Sequence, residues 1–298
     1  MLSFKPITIE DKERITSFTL TSKYMNCDFA FANMCSWQFY YDSEYAIQDN
    51  FLFIRFLLEA REQKSYMFPV GEEDISHAIS ILEKEAQNDG HRLCISGITP
   101  EAKEQLSNLY PEGFRYIAER DYFDYIYSRD DLQFLKGKKY QPKRNHINKF
   151  KKLYHYTYVP IEREMIPRCL DLEYKWYQAN KTNADIEDLR HENQSMIFAL
   201  NHFDDLELTG GAIMINDEII AFTYGSPVNK DTFAVHVEKA DIQYEGIFSL
   251  INQEFISHLP EQYQYINREE DLGIPGLRQS KLSYHPTILL EKSTAIKK

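Results

Sequence analysis

Residues 209–240, TGGAIMINDEIIAFTYGSPVNKDTFAVHVEKA, decide the fold. Three apolar, β-branched runs (209–215, 219–225 and 232–240) are separated by Asn216-Asp217 and by Asn229-Lys230-Asp231. These residue types accept the left-handed backbone that tight hairpin turns demand. The stretch therefore predicts three consecutive antiparallel strands. Working outward, 156–161 reads as a strand and 167–179 as a helix with Pro167 in its first turn. Residues 185–201 read as a second helix, capped by an Asp or Asn-type residue. Downstream, Gly246 opens a helix over 247–257, followed by a strand at 263–267, a short helix and a last strand at 287–290.

The first half repeats this order in eroded form. Short helices are predicted at 11–18 and 34–41, and strands at 51–58 and 65–70. An amphipathic helix spans 74–88, with Ile75, Ala78, Ile79 and Leu82 on one face and Gly90 as its stop. A strand at 92–96 and a helix at 100–109 follow. The tyrosine-rich run 121–127 is expected to close the first domain. This element order is that of the GNAT (N-acetyltransferase-like) fold. The expectation is an α/β (α+β) chain of tandem duplicated GNAT-like, acyl-CoA N-acyltransferase-like domains, with mixed, mainly antiparallel sheets flanked by helices. A degenerate N-terminal domain would span 1–135, a basic linker helix 136–155, and a C-terminal domain carrying the site 156–298.

The composition suits that picture. A chain of 298 residues is comfortable for two domains, and 43% hydrophobic residues exclude global disorder. No apolar run approaches the ~18 residues of a membrane span, and charges break the N-terminal segment early, so a cytoplasmic protein is expected. Cys27, Cys35, Cys94 and Cys169 show no metal-ligand spacing, and neither a metal nor a tightly bound cofactor is expected. A net charge of −12 argues against a general nucleic-acid coat. Against that acidic background, 136–152 holds eight Lys and Arg and no acid. Lys143, Arg144 and Asn145 there could face a phosphate-bearing donor, or could simply solvate an interdomain helix. If helical to Leu153, the segment would turn Ile147, Phe150 and Leu153 inward.

Strict alternation along 232–240 puts Ala234, His236 and Glu238 on one strand face. His236 and Glu238 then share one space, as a general base with its neighbour, as a buried hydrogen-bonded pair, or with Glu238 held in an ion pair. Gln243 and Gly246 have the Q-x-x-G spacing that opens a pyrophosphate loop in acetyl-CoA-dependent GNAT enzymes, although Phe248 stands where a small residue is usual. Asn267, Arg268, Glu269 and Asp271 form a dense polar cluster at the C-terminal end of a strand, where open α/β sheets place ligands.

Gly276-Leu277-Arg278, then Lys281, Tyr284 and Pro286, make a G-L-R-x-x-K-x-x-aromatic-x-P pattern. It resembles one near the C-terminus of the catalytic domains of bacterial phosphatidylglycerol lysyltransferases, and a related segment typifies Fem-type aminoacyltransferases. With the HVEKA strand and the basic segment, the likeness covers nearly the whole chain. The resemblance implies acyl or aminoacyl transfer, with aminoacyl-tRNA or acyl-CoA as donor and a small-molecule or peptide amine or hydroxyl as acceptor. It makes Arg278 and Lys281 the phosphate-binding or oxyanion-stabilising cations, with Glu269 or Asp271 orienting them and Tyr284 lining the site. The spacing also fits a solvated helix face. An acetyl-CoA-dependent N-acetyltransferase and a non-catalytic GNAT-fold binding protein are the alternative readings.

Overall fold

The computed structural model describes residues 1–58, 63–180 and 186–298. Asp185, the expected start of one helix, lies outside the described residues. In the first half, β1 (Lys5–Pro6), α1 (Lys12–Thr19), α2 (Phe31–Ser36) and α3 (Gln38–Tyr41) lead into the strands β2 (Glu44–Gln48), β3 (Phe51–Leu58), β4 (Gln63–Met67) and β5 (Val70–Gly71). Then come α4 (Ile75–Asn88), β6 (Cys94–Ile98), α5 (Pro100–Leu109), β7 (Phe114–Ala118) and β8 (Asp124–Ser128). Two connecting helices, α6 (Arg129–Phe134) and α7 (Gln141–Leu153), precede β9 (Thr157–Pro160), α8 (Ile166–Asn180) and α9 (Ile186–Asn201). The meander is β10 (Thr209–Ile215), β11 (Glu218–Pro227) and β12 (Thr232–Ala240). After it come α10 (Ile247–His258), β13 (Tyr265–Asn267), α11 (Pro275–Leu282), β14 (Ile288–Leu290) and β15 (Ser293–Lys297).

The two halves build the tandem GNAT-like fold from two sheets with matching order. One runs β1-β2-β3-β4-β6-β15-β7 and the other β9-β10-β11-β12-β13-β8-β14. In each, an antiparallel meander is followed by one parallel pairing, β4 with β6 or β12 with β13, reached through a crossover helix. Asn216 and Asp217 both have positive φ, 49° and 63°, as the hairpin between β10 and β11 requires.

One expectation fails. Strand β8 does not close the first sheet: it lies in the second, antiparallel to both β13 and β14. Its counterpart is β15, which the sequence reading omitted and which fills the equivalent slot between β6 and β7. Each half therefore lends one strand to the other. Tyr125 and Tyr127 on β8 are fully buried, and the core they fill belongs to the second sheet.

Three cores follow from the two-faced sheets. Helices α4 and α5 cover the outer face of the first sheet. Helices α7 and α10 cover one face of the second. The remaining faces share a single core with α1, α2, α8 and α9, so the halves are joined by packed apolar side chains. In α7, Ile147 and Phe150 point inward as expected, but Leu153 is exposed. No described helix is long and apolar enough to cross a membrane.

Candidate functional site

Strand β12 does not alternate regularly. Tyr224 and Gly225 of β11 oppose Val237 and Val235, which leaves His236 as an extra, bulged residue. Gly225 permits this close approach, because a Cβ there would stand 1.9 Å from the Ala234 carbonyl oxygen. The bulge reverses which face the later side chains take. Phe233, Val235 and Ala240 face α7 and α10, whereas Ala234 and Val237 face α8 and α9. Glu238 accordingly meets Asn252 of α10, and Lys239 meets Trp176 of α8 and Glu192 of α9. His236 and Glu238 thus do not share one space, contrary to the alternation argument.

Each instead pairs with one residue of the 267–271 segment. The parallel pairing of β12 with β13 ends at Ala234 and Asn267. There the Asn267 Oδ1 accepts from the Glu269 N–H at 2.7 Å, and Glu269 takes a left-handed φ of 57°. The turn sends Arg268 and Glu269 to different neighbours. Glu269 accepts from Asn33 of α2 at 2.8 Å and meets His236 Nδ1 at 2.8 Å, while His236 Nε2 meets Ser226 Oγ at 2.7 Å. Arg268 Nη2 donates to Glu238 Oε1 at 3.1 Å, and Asn252 Nδ2 donates to Glu238 Oε2 at 3.4 Å. Both members of the Arg268–Glu238 pair are about nine-tenths buried, at 10% and 12% exposure. Arg268 Nη1 is buried with no hydrogen-bond partner among the described residues.

Tyr284 stands beside this pair, its ring 5.0 Å from the Arg268 guanidinium carbon. Lys143, from the first turn of α7, sits 3.7 Å from the centre of the same ring. Burial, and then the neighbouring Arg268, lower the Lys143 pKa to about 8, with Glu238 pulling the other way. The outcome is a half-buried amine, partly neutral near physiological pH, beside a fixed guanidinium with a free N–H group.

Helix α11 holds this arrangement without joining it. Lys281 Nζ donates to the backbone carbonyls of Arg268 and Glu270. Arg278 grips Asp271 through Nε at 2.9 Å and Nη2 at 2.7 Å, and also Asp121 at 2.5 Å. Asp271 is fully buried and accepts from Tyr125 Oη at 2.6 Å and Arg120 at 3.1 Å. Burial alone would raise its pKa, but hydrogen bonds from Arg278, Tyr125 and the Gly273 N–H outweigh that and hold it well below the usual carboxylate range. Neither Arg278 nor Lys281 is the partner of Glu238; Arg268 takes that place. Asp271 pairs with Arg278, but as part of this clamp.

Other expected residues lie elsewhere. Arg144 donates to the carbonyls of Leu135 and Gly137, tying down the end of α6. Asn145 and Gln243 are exposed. Gly246 has φ 92°, and a Cβ there would meet the His146 carbonyl oxygen at 2.6 Å. Its glycine thus serves the packing of α10 on α7, and Phe248 is 38% exposed. Asn267 is buried and pinned, donating to Asp124 at 2.7 Å and to the Met25 carbonyl at 2.8 Å. Sequence reading did not single out Asn252, although an amide on the mostly apolar inner face of α10 is a readable signal. Nothing in the linear pattern marked Asn33 or Ser226.

A second polar cluster lies where the exchanged strands cross. Lys292, just before β15, bonds Asp124 at 2.8 Å, Asp28 at 3.0 Å and Glu270. Cys27, Asp124 and Glu270 are close enough together to share a metal ion, but the Lys292 ammonium already bonds both carboxylates and lies 4.0 Å from the thiol. Burial raises the Cys27 thiol well above its ordinary value, which is poor preparation for ligation.

The model of a family described as phosphatidylglycerol lysyltransferase, C-terminal, matches residues 21–296. A crystal structure of a conserved protein of unknown function from Bacteroides thetaiotaomicron is 46% identical, with all of both chains covered and a TM-score of 0.96. The structure of L-PGS from Bacillus licheniformis is similar in fold, with a TM-score of 0.69 at 14% identity over 98% of this chain and 93% of that one. An uncharacterized protein of Mycoplasmoides gallisepticum, MYCGA3080, is 26% identical over 176 residues, 57% of this chain. Those residues are 54% of that relative, so the chain spans about half its length.

Proposed function

Because the chain belongs to the phosphatidylglycerol lysyltransferase C-terminal family, we propose that it is an acyltransferase moving an acyl or aminoacyl group from an activated ester to an amine or hydroxyl acceptor. The observation that carries this reading is the buried Arg268 Nη1, without a partner among the described residues, beside Lys143 with its pKa near 8. Attack on an ester carbonyl forms the new bond to carbon and drives negative charge onto the carbonyl oxygen. A fixed donor in a partly dry site stabilises that oxygen. The acceptor must also lose a proton, and an amine with a pKa near the working pH is suited to take it. Glu238 keeps the guanidinium in place, and the tetrahedral intermediate collapses by breaking the bond to the donor oxygen, which leaves as the alcohol on taking the proton back from the Lys143 ammonium.

The donor we favour is an aminoacyl ester of tRNA. Lysyl transfer is what the family's name states. The His146 carbonyl crowds Gly246, where the acetyl-CoA reading needs room for a pyrophosphate. Incubation with labelled aminoacyl-tRNA or acyl-CoA and a panel of amines and alcohols tests the proposal. Transfer should appear with aminoacyl-tRNA and fall by ~100-fold or more in Arg268→Met, the order expected for loss of one oxyanion donor. Equal consumption by wild type and Arg268→Met would overturn the site, and use of acyl-CoA alone would overturn the donor.

A further inference from the structure

Glu238 and Lys239 are neighbours in sequence but face opposite sides of β12, and the far side carries its own unbalanced charge. Helices α8 and α9 enclose a cleft of about 470 Å³ there, within the range of small-molecule sites. Its lining includes Asp171, Tyr174 and Tyr177 from α8, Asn193 and Ile197 from α9, and Glu173. None of the lining residues is a Lys or Arg. Glu173 is 2% exposed. Its Oε1 accepts from Asn193 Nδ2 at 3.1 Å, but its Oε2 is buried with no hydrogen-bond partner among the described residues.

Among the described residues Lys239 is the cation paired with Glu173, and it does not satisfy that oxygen. Its ammonium lies 2.8 Å from Glu192 and 3.3 Å from the centre of the Trp176 ring, which leaves Glu173 Oε2 3.7 Å away, beyond hydrogen-bond reach. Burial raises the Glu173 pKa, with Lys239 and Asn193 acting against it. Two carboxylates thus share one ammonium. A carboxylate oxygen buried without a donor costs stability unless something fills the place. The missing element is a second cation with an N–H to give, and the tyrosine rings offer faces suited to its charge and its carbon stem.

We propose that the α8–α9 cleft binds a primary ammonium group, with Glu173 as its carboxylate partner and Asn193 holding that carboxylate in place. An amine with a short alkyl chain would enter past Tyr174 and Ile197, which are 64% and 39% exposed. Its charge would bring the group formed by Glu173, Glu192 and Lys239 to neutrality. The proposal does not depend on the transfer reaction, and its test needs no turnover.

The probes are cadaverine and n-butylammonium, with n-butanol and butyrate as controls, measured by calorimetry on the whole chain. Trp176 supplies a second readout: in Trp37→Phe it is the sole remaining tryptophan, and its emission should shift as the amines bind. Both amines should bind, the controls should not, and Glu173→Gln should weaken the amines at least tenfold. Glu173→Asp, which keeps the charge and withdraws it by one methylene, should fall between and covers the case in which the Gln variant misfolds. No amine binding at 10-millimolar-order concentrations (on the order of a −3 kcal/mol interaction), or affinity unmoved by both variants, would overturn the site.

Discussion

Lys143 is the residue on which pH should act most directly. Its amine is mostly charged at pH 7 and mostly neutral at pH 9, given a pKa of about 8. If it accepts the acceptor's proton, turnover should climb through pH 8 and level off above it. Lys143→Met should flatten that rise, which a pH–rate profile of the two proteins would show; an unchanged profile would assign the rise to another group. Glu270 carries a different pH dependence. Burial raises its pKa to about 7, opposed by Lys292 and reinforced by Asp124 and Asp28. The native state therefore holds a proton that the unfolded chain releases near pH 4.5, and stability is lost as pH rises from about 4.5 to 7. In Glu270→Gln that loss should vanish, so the variant gains on wild type by ~1–3 kcal/mol between pH 5 and pH 8 in urea unfolding. Composition and motif spacing singled out Lys143, Arg268, Glu238 and Tyr284. What they could not supply was the pairing, because partners separated by 30 residues in the case of Arg268 and Glu238 meet only through the sheet.

At the scale of elements, the bulge in β12 and the clamp of α11 decide where those residues point. The V-H-V-E pattern reads as clean alternation, and one looped-out residue inverts the later faces without altering the letters. Gly225 in mid-strand was the available sign, since an isolated strand glycine marks a bulge or a close approach. Likewise Arg278 and Lys281 read as site cations, because sequence cannot tell a cation facing a cleft from one holding backbone carbonyls. Gly246 makes a sharper prediction. With φ 92° and the His146 carbonyl 2.6 Å from where a Cβ would stand, Gly246→Ala must push α10 from α7. A loss of ~1–3 kcal/mol is expected in urea unfolding, from the left-handed backbone and the overpacking together. A neutral substitution would show that the helices part easily.

Across the whole molecule, the reciprocal exchange of β8 and β15 makes the halves depend on each other. Each sheet has a strand from the opposite half at an interior position, and the two halves share an apolar core. Unfolding should therefore be one cooperative transition. The two tryptophans, Trp37 in the first half and Trp176 in the second, allow a direct check. Single-tryptophan variants should give coincident urea curves, and separate midpoints would mean that the halves melt independently. The duplicated order of elements was legible because each copy keeps its own helix and strand periodicities. The exchange was not, because the pattern of a strand records which face is buried and says nothing of which sheet receives it.

The exchange also sets a schedule at the ribosome. By the time β7 has been made, every other strand of the first sheet exists, yet the slot between β6 and β7 must stay open until β15 is synthesised. That is a delay of roughly 175 residues, or about 10–35 s at ordinary rates of synthesis. Throughout it β6 and β7 present bare strand edges of the kind that recruit neighbouring chains. A chaperone that shields β-strand edges during translation should therefore raise the yield of this protein more than that of a protein whose sheets are each completed by their own half.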